Sequence, residues 1–328
     1  MTAGTLTRPQ VAIDLGGTWL RLRIDGELVR MAAPSVLNRP GADPADLIVD
    51  LVETLCAAIP ADAMVAMSCG AAMDEERGLV HGSGPLWGGA LPEPVLLADL
   101  LRDRRPDVGW RVINDVTAGL ASFTARFAEP GDRRIAYLTI SSGIAMRVAD
   151  LGERSVPVDA HGLQGEIGHL RAVTSMPEAL RELRCDCDAS GHISAISAGP
   201  ALAPVIAALG ITDESLPDRL AERVRAGDPT ARLVLRAVVE PIAEVIRVVR
   251  CVDPRIDRFG LGGGYVEGLG AVYREELGRQ LRAARSYADN GYGPGWFDEH
   301  VRVCLPGDID TLDGAAAIAR GALVVTKN

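Results

Sequence analysis

The sequence predicts an α/β protein of two related lobes, each organised on a mixed β-sheet, and three observations carry that expectation. A strand that runs into a small-residue turn and returns as a second strand occurs twice, around Gly16-Gly17-Thr18 and around Ser141-Ser142-Gly143. Such a repeat marks the internal duplication of a two-lobed nucleotide clamp. The last third of the chain is mainly helical in pattern. The 328 residues, 48% hydrophobic and 24% charged, suffice for two domains of ordinary size with sizeable cores. The expected division puts residues 1–116 in an N-terminal lobe, completed by a C-terminal helix at about 312–328, and residues 117–311 in the other lobe.

In chain order, QVAID is a strand ending at Asp14, and the glycine turn leads into alternating strands over 20–25 and 27–31, an antiparallel meander. Asp43-Pro44 supplies a helix cap followed by proline in the first turn, and Leu47, Ile48, Leu51, Val52 and Leu55 then fall on one face. A strand over 64–69 precedes a Gly/Pro-rich stretch over 70–92. A helix over 95–102 and a strand ending at Asn114 follow, and a further helix starts there with Val116, Leu120 and Phe123 on one face. Strands over 135–140 and 144–150 form the second hairpin. Asp228-Pro229 opens a long apolar helix that stops before Asp253-Pro254. A strand over 258–261 runs into Gly262-Gly263-Gly264, a helix follows from about Glu267, and an alanine-rich helix covers about 312–325.

Composition excludes several classes of function. With 34 basic against 44 acidic residues the net charge is −10, and no basic cluster offsets the repulsion this sets up toward nucleic acid. Lys327 is the only lysine, placed at an end expected to fray. A Walker-type NTPase or a protein kinase needs a phosphate-cradling lysine, and Schiff-base chemistry needs an amine, so none of these fits. No apolar run approaches the ~20 residues of a membrane span, and MTAGTLTRPQ lacks the apolar core of a secretory signal, so a cytoplasmic protein without membrane partners is expected. Cys56, Cys69, Cys251 and Cys304 lie in apolar surroundings and read as buried thiols. Cys185 and Cys187 are a close pair in a polar stretch, which in a cytosolic protein favours a metal over a disulfide.

Five segments could carry chemistry. In Asp14-Leu15-Gly16-Gly17-Thr18 a strand ends in a carboxylate, two glycines let backbone N–H groups approach an anion, and Thr18 adds a hydroxyl. That suits a nucleotide phosphate tail, with Asp14 holding Mg²⁺ directly or through water. Asn114-Asp115 stands at a strand end, where Asp115 could accept the proton of an attacking hydroxyl, cap the following helix, or do both. His161 to His169 is too rich in glycine for a helix and displays Glu166 and His169. Sixteen residues later Cys185-Asp186-Cys187 is followed by His192, a set that could hold zinc tetrahedrally or be no site at all. Gly262-Gly263-Gly264 could let an adenosine lie on bare backbone, or simply be a crowded turn.

In this order the segments resemble the ROK family (repressors, open reading frames, kinases), over residues 10 to 325. DLGGT resembles its first phosphate motif, Asn114-Asp115 its substrate and catalytic pair, HGLQGEIGH its E-x-G-H sugar motif, CDCDASGH its zinc segment, LGGGYVEG its adenosine segment, and 70–89 its sugar-side loop, including Gly70. The resemblance implies an actin-like, RNase H-like fold that transfers the γ-phosphate of ATP to a primary hydroxyl of a hexose-like molecule. It implies Asp115 as general base, and Asn114, Glu166 and His169 as hydrogen-bonding partners of the sugar. Asp14, Gly16, Gly17, Thr18, Ser142, Gly143, Gly262, Gly263 and Gly264 would face the nucleotide. Mg²⁺ would serve the phosphates, a structural Zn²⁺ would orient His169, and the assembly would be a homodimer or homotetramer.

The departures from the family pattern are informative. Its third zinc cysteine is His192 here, which predicts a retained site of His169, Cys185, Cys187 and His192. A glutamate that contacts the sugar near its anomeric end is Ser194 here, which points away from plain glucose toward an amino sugar or a carbocyclic analogue. The second phosphate motif, Gly-Thr-Gly in the family, is Ser141-Ser142-Gly143, and later glycines are Ala145 and Arg147, the latter set to meet a phosphate or to face solvent. Rival readings are a repressor, a sugar sensor without catalysis, and a polyphosphate-dependent kinase. Only about ten residues precede the first strand, too few for a DNA-binding segment. Asp14 and Asp115 are both present, against the sensor, and no basic channel is readable for polyphosphate.

Overall fold

Local chemistry sets the first elements of the computed structural model, which describes residues 8–175, 177–283, 287 and 295–327. Most of the decapeptide read for a secretory signal, residues 1–7, therefore lies outside the described residues. The chain opens with β1 (Gln10–Leu15), β2 (Trp19–Ile24) and β3 (Glu27–Ala32), an antiparallel meander in which Asp14 stands opposite Arg21. Helix α1 (Pro44–Ala58) begins where Asp43 accepts a hydrogen bond from the Ala45 amide (2.8 Å), and its buried face is the five apolar residues expected. Strand β4 (Met64–Cys69) lies parallel to β1.

Residues 70–92, expected as a glycine-rich loop, instead hold most of a small antiparallel sheet. Its members are β5 (Ala72–Asp74), β6 (Leu79–Ser83) and β7 (Gly89–Leu96), with the single turn α2 (Gly84–Trp87) between the last two. The glycines serve the sheet: a Cβ at Gly82 would lie 2.5 Å from the Gly89 carbonyl oxygen. Met73, Val80, Leu86 and Trp87 are buried, joining the same apolar core as α1. Val95, expected to start a helix, lies in β7, and the helix α3 is Leu97–Arg104. Strand β8 (Gly109–Asn114) lies parallel to β4, and α4 (Asp115–Phe127) follows without a linker.

The second hairpin is β9 (Arg134–Ile140) with β10 (Ile144–Asp150), succeeded by β11 (Ser155–Val158). Short helices α5 (Ser194–Ser197), α6 (Leu202–Ala208) and α7 (Leu216–Arg225) lead to α8 (Pro229–Val252), capped by Asp228, which accepts from the Thr230 amide (2.8 Å). Strand β12 (Ile256–Gly262) pairs parallel with β9. The helix expected from Glu267 starts earlier and is two: α9 (Gly264–Leu269) and α10 (Ala271–Arg282), separated at Gly270, whose φ of 54° interrupts the helical backbone. Helix α11 (Trp296–His300), strand β13 (Val301–Val303) and α12 (Thr311–Ala319) follow. The expected terminal helix over 312–325 is thus shorter. After Gly321 (φ 77°) the chain becomes strand β14 (Val324–Lys327), paired parallel with β11.

Two compact units result. One comprises the residues up to Ser122, Arg154–Gln164 and the chain from Asp310, and the other Phe123–Glu153 with Gly165–Ile309. The first has strand order β3-β2-β1-β4-β8 and the second β13-β12-β9-β10. In each, a hairpin supplies a strand that then pairs in parallel with later ones, so the two-lobed α/β expectation holds. Each unit has its own apolar core, the second gathered around α8. Among the described residues no helix is long and apolar enough to cross a membrane.

Candidate active site

In the first unit β1, β4 and β8 lie side by side and parallel, in a register that brings Leu15 next to Cys69 and Cys69 next to Asn114. Their carboxyl ends, where open sheets of this kind receive ligands, therefore present Asp14, Gly70 and Asp115 together. The Asp14 carboxylate accepts two hydrogen bonds from Arg21 (Nε 3.0 Å, Nη2 2.7 Å) and one from Thr311 Oγ1 (2.6 Å). Gly17 is required by packing, since a Cβ there would lie 2.5 Å from Pro85 Cβ. Asn114, 2% exposed, is the helix cap: its Oδ1 accepts from the Val116 amide (3.0 Å) while its Nδ2 donates to the Ala71 carbonyl (2.8 Å). That leaves the capping duty off Asp115, whose carboxylate Oδ2 lies 3.5 Å from where a Gly70 Cβ would stand. Within the first turn of α4, Thr117 donates to Glu75 (2.6 Å). Between the two strand-end carboxylates, burial and the charges of Asp115 and Asp14 push the Cys69 thiol far above the usual range, so it stays protonated.

In the second unit the Ser141 amide donates to the Gly143 carbonyl (3.0 Å), closing the β9–β10 turn that holds Ser142. The glycine turn after β12 packs on the end of β9. At Gly263 (φ 104°) a Cβ would lie 2.7 Å from the Ile140 carbonyl oxygen, and one at Gly264 would lie 3.9 Å from Ser141 Oγ. The Gly263 amide donates to Glu267 (2.9 Å), a half-buried carboxyl that desolvation holds above its usual pKa. From Gly165 on, the chain packs on β10. The Gly165 carbonyl accepts from the Met146 amide (2.8 Å), and a Cβ at Gly168 would lie 2.2 Å from Ser194 Oγ. Burial pushes the Glu166 carboxyl up, opposed by the charges of Arg147 and His169. Arg147 is 1% exposed. The solvent-facing alternative for this arginine is therefore wrong, and it serves as a buried countercharge beside Glu166.

The second unit also brings four metal-ligating side chains together. One donor atom each from His169, Cys185, Cys187 and His192 lies within 4.8 Å of the other three. Cys185 Sγ is 3.6 Å from His169 Nδ1, and Cys187 Sγ is 3.2 Å from His192 Nδ1. Tetrahedral zinc with ordinary Zn–N and Zn–S bonds sets its donors about 3.6 Å apart, so the set fits that ion. The knuckle is shaped by the backbone: Cys185 donates to the Ala189 carbonyl (2.8 Å), Asp188 takes a left-handed φ of 67°, and Ile193 donates to Leu170 (2.9 Å). Burial pushes the Cys185 thiol up to about 12 and lowers the His192 pKa. Of the four thiols expected to be buried, Cys69 and Cys304 are, Cys56 is half-buried, and Cys251 is exposed, being near the solvent-facing end of α8.

The profile of one protein family, described as the ROK family, matches residues 10–319. The chain belongs to the ROK family. ROK membership agrees with the motif order read above. This ROK chain is 37% identical to a 2-epi-5-epi-valiolone 7-kinase of Actinoplanes sp., over 95% of the chain and 94% of that protein. It is 32% identical to a C(7)-cyclitol 7-kinase of Streptomyces hygroscopicus subsp. jinggangensis, over 86% of each. Among solved structures it resembles a ROK hexokinase from Thermus thermophilus (TM-score 0.66, 22% identity, 94% of this chain and 96% of that one). A ROK family glucokinase from Streptomyces griseus, in complex with glucose and AMPPNP, is equally similar (TM-score 0.66, 20% identity, 95% and 99%). These two structures speak to the fold, which is the actin-like one expected.

The expected site residues of this ROK chain thus fall into three groups. Asp14, Gly16, Gly17, Thr18, Gly70, Asn114 and Asp115 share the carboxyl edge of the first sheet. Ser142, Gly143, Gly262, Gly263 and Gly264 share the β9–β12 end of the second, and Glu166 and the four metal-type donors lie between β11 and α5, which Ser194 opens. Sequence reasoning missed Arg21 and Thr311 on Asp14. Arg21 was readable, because a turn of four residues between Leu15 and Leu20 fixes the register that sets it opposite Asp14.

Proposed function

We propose that this chain transfers the γ-phosphate of ATP to the exocyclic primary hydroxyl, at position 7, of a C7 cyclitol, a carbocyclic counterpart of a hexose. The observation that carries the acceptor is the 37% identity, over nearly both full lengths, to a kinase named for such a compound. Ser194 accords with it: where glucokinase-like relatives place a carboxylate, a small hydroxyl sits against Gly168, and a carbocycle has no anomeric hydroxyl for a carboxylate to bind. The chain is a sugar kinase of the ROK family in this reading, and an amino sugar is the lesser alternative acceptor.

Asp115, at the positive end of the α4 dipole, would take the proton of the 7-hydroxyl as that oxygen attacks phosphorus. Asn114 fixes the strand–helix junction and keeps a second amide N–H to give the acceptor. Glu166 and His169 would hydrogen-bond ring hydroxyls, His169 through Nε2, since its Nδ1 faces Cys185. Backbone amides of Gly16 and Gly17 with Thr18, and of Ser142 and Gly143, would cradle phosphate oxygens, and Gly262, Gly263 and Gly264 would admit the adenosine. Asp14, already held by Arg21 and Thr311, would hold Mg²⁺ through a water, and the bound ion would neutralise charge on the phosphates. The four Cys and His donors would hold a structural Zn²⁺ that fixes the His169 ring. A net charge of −10 argues against a nucleic-acid partner, and dependence on ATP argues for the cytoplasm. The family resemblance favours a homodimer or homotetramer.

The test is coupled ADP release with Mg-ATP across C7 cyclitols, glucose, mannose and amino sugars. A C7 cyclitol should exceed glucose in kcat/KM by tenfold or more, on the order expected when a site is built for one set of hydroxyls. Ser194→Glu should narrow that ratio by about tenfold, since a charge-assisted hydrogen bond is worth ~1.5–3 kcal/mol. Glucose turned over as well as every cyclitol would overturn the acceptor assignment.

A further inference from the structure

The only lysine of the chain is tied into the first unit. Lys327 Nζ, in β14, donates to Asp74 Oδ2 (2.7 Å) and pairs with Glu76 (3.1 Å). The fraying expected at this end is therefore wrong. The Asp74 side chain is 4% exposed, its Oδ1 accepting from the Arg77 amide (3.3 Å) and its Oδ2 from Lys327. The next residue, Glu75, accepts from Thr117 Oγ1 (2.6 Å) in the first turn of α4, two residues from Asp115. The residue just before β5 is anchored too, because Ala71 accepts from Asn114 (2.8 Å). Gly162, just beyond the β11 partner of β14, packs its bare backbone on the same point: a Cβ there would lie 2.7 Å from the Met73 carbonyl oxygen and 2.8 Å from Asp74 Cα. A continuous path of ion pair, peptide and hydrogen bond thus runs from Lys327 through Asp74 and Glu75 to the helix turn that carries Asp115.

We propose that Lys327 is a positioning residue for the phosphoryl-transfer step, acting through Asp74, Glu75 and Thr117 on Asn114-Asp115. This rests on the reaction proposed above. Neutralising Lys327 leaves the buried Asp74 carboxylate with the Arg77 amide (3.3 Å) but without its paired cation, and the segment that braces the α4 turn relaxes. Small displacements of a catalytic base are costly in rate.

The experiment compares Lys327→Met, Lys327→Arg, Asp74→Asn and the Lys327→Met/Asp74→Asn double variant, each corrected for folded fraction. Lys327→Met should lower kcat for the acceptor about tenfold or more and leave the KM for ATP within about twofold. Lys327→Arg should restore most of the rate, and the double variant should be no worse than the worse single one. Because no other side-chain amine exists, acetylation should mimic Lys327→Met and charge-preserving dimethylation should not, with acetylated Lys327→Arg as the control for the N-terminal amine. A lower melting temperature with unchanged kcat would overturn the proposal and make the contact merely structural. If the wild type phosphorylates no acceptor, the proposed reaction fails, and the positioning role is then read by hydrogen exchange. Lys327→Met must still speed exchange over residues 72–83 and 115–118, and unaltered exchange there would overturn it.

Discussion

Asp115→Asn should reduce kcat by about 10³-fold, within the ~10²–10⁴ range that a positioned general base contributes. The substitution is isosteric and removes only the proton acceptor. Its interpretation is clean because the two duties at this strand end are divided: Asn114 caps α4 and ties Ala71, so Asp115 is not needed to start the helix. The variant should therefore melt near the wild type and still gain melting temperature with acceptor and nucleotide. Asn114→Ala should do the opposite, costing on the order of 1–2 kcal/mol of stability through the lost cap. Activity of Asp115→Asn within tenfold of wild type would send the search for the base elsewhere.

The second large effect concerns the Cys and His knuckle. Metal analysis of the purified protein should find about one zinc per chain, and Cys185→Ala should lose it. The kcat/KM for the acceptor should then fall about 10–100-fold, the scale on which the orientation of metal-held histidines matters, while nucleotide affinity persists because the glycine turns are built separately. His192→Cys should keep the metal, since it restores the thiolate usual in the family. A metal-free wild type with full activity would show that the four donors meet for another reason. The geometry argues otherwise, as the backbone bends at Asp188 and Gly191, both with positive φ, to bring the four donors together.

Much of this was legible because the signals are local. Asp43-Pro44 and Asp228-Pro229 cap their helices as written, and both hairpins turn at their small residues. What was illegible depends on distant neighbours. Glycine density over 70–92 reads as a loop, yet Gly82 is there to let a neighbouring strand approach. The four donors stand out in the sequence as residue types, but their convergence rests on backbone bends with no sequence period. Arg147 looks like a surface cation until its position beside Glu166 is known. Lys327 finds its partner 253 residues away, a separation at which no local pattern speaks.

The close passage of α12 against α4 has a genetic consequence. At Gly314 a single methyl group would lie 1.8 Å from the Ala118 carbonyl oxygen, so no other residue fits without moving the helix that begins at Asp115. Substitutions at this contact would couple heat tolerance to turnover. A random screen for temperature-sensitive alleles should find this pair over-represented, with second-site revertants on the facing helix.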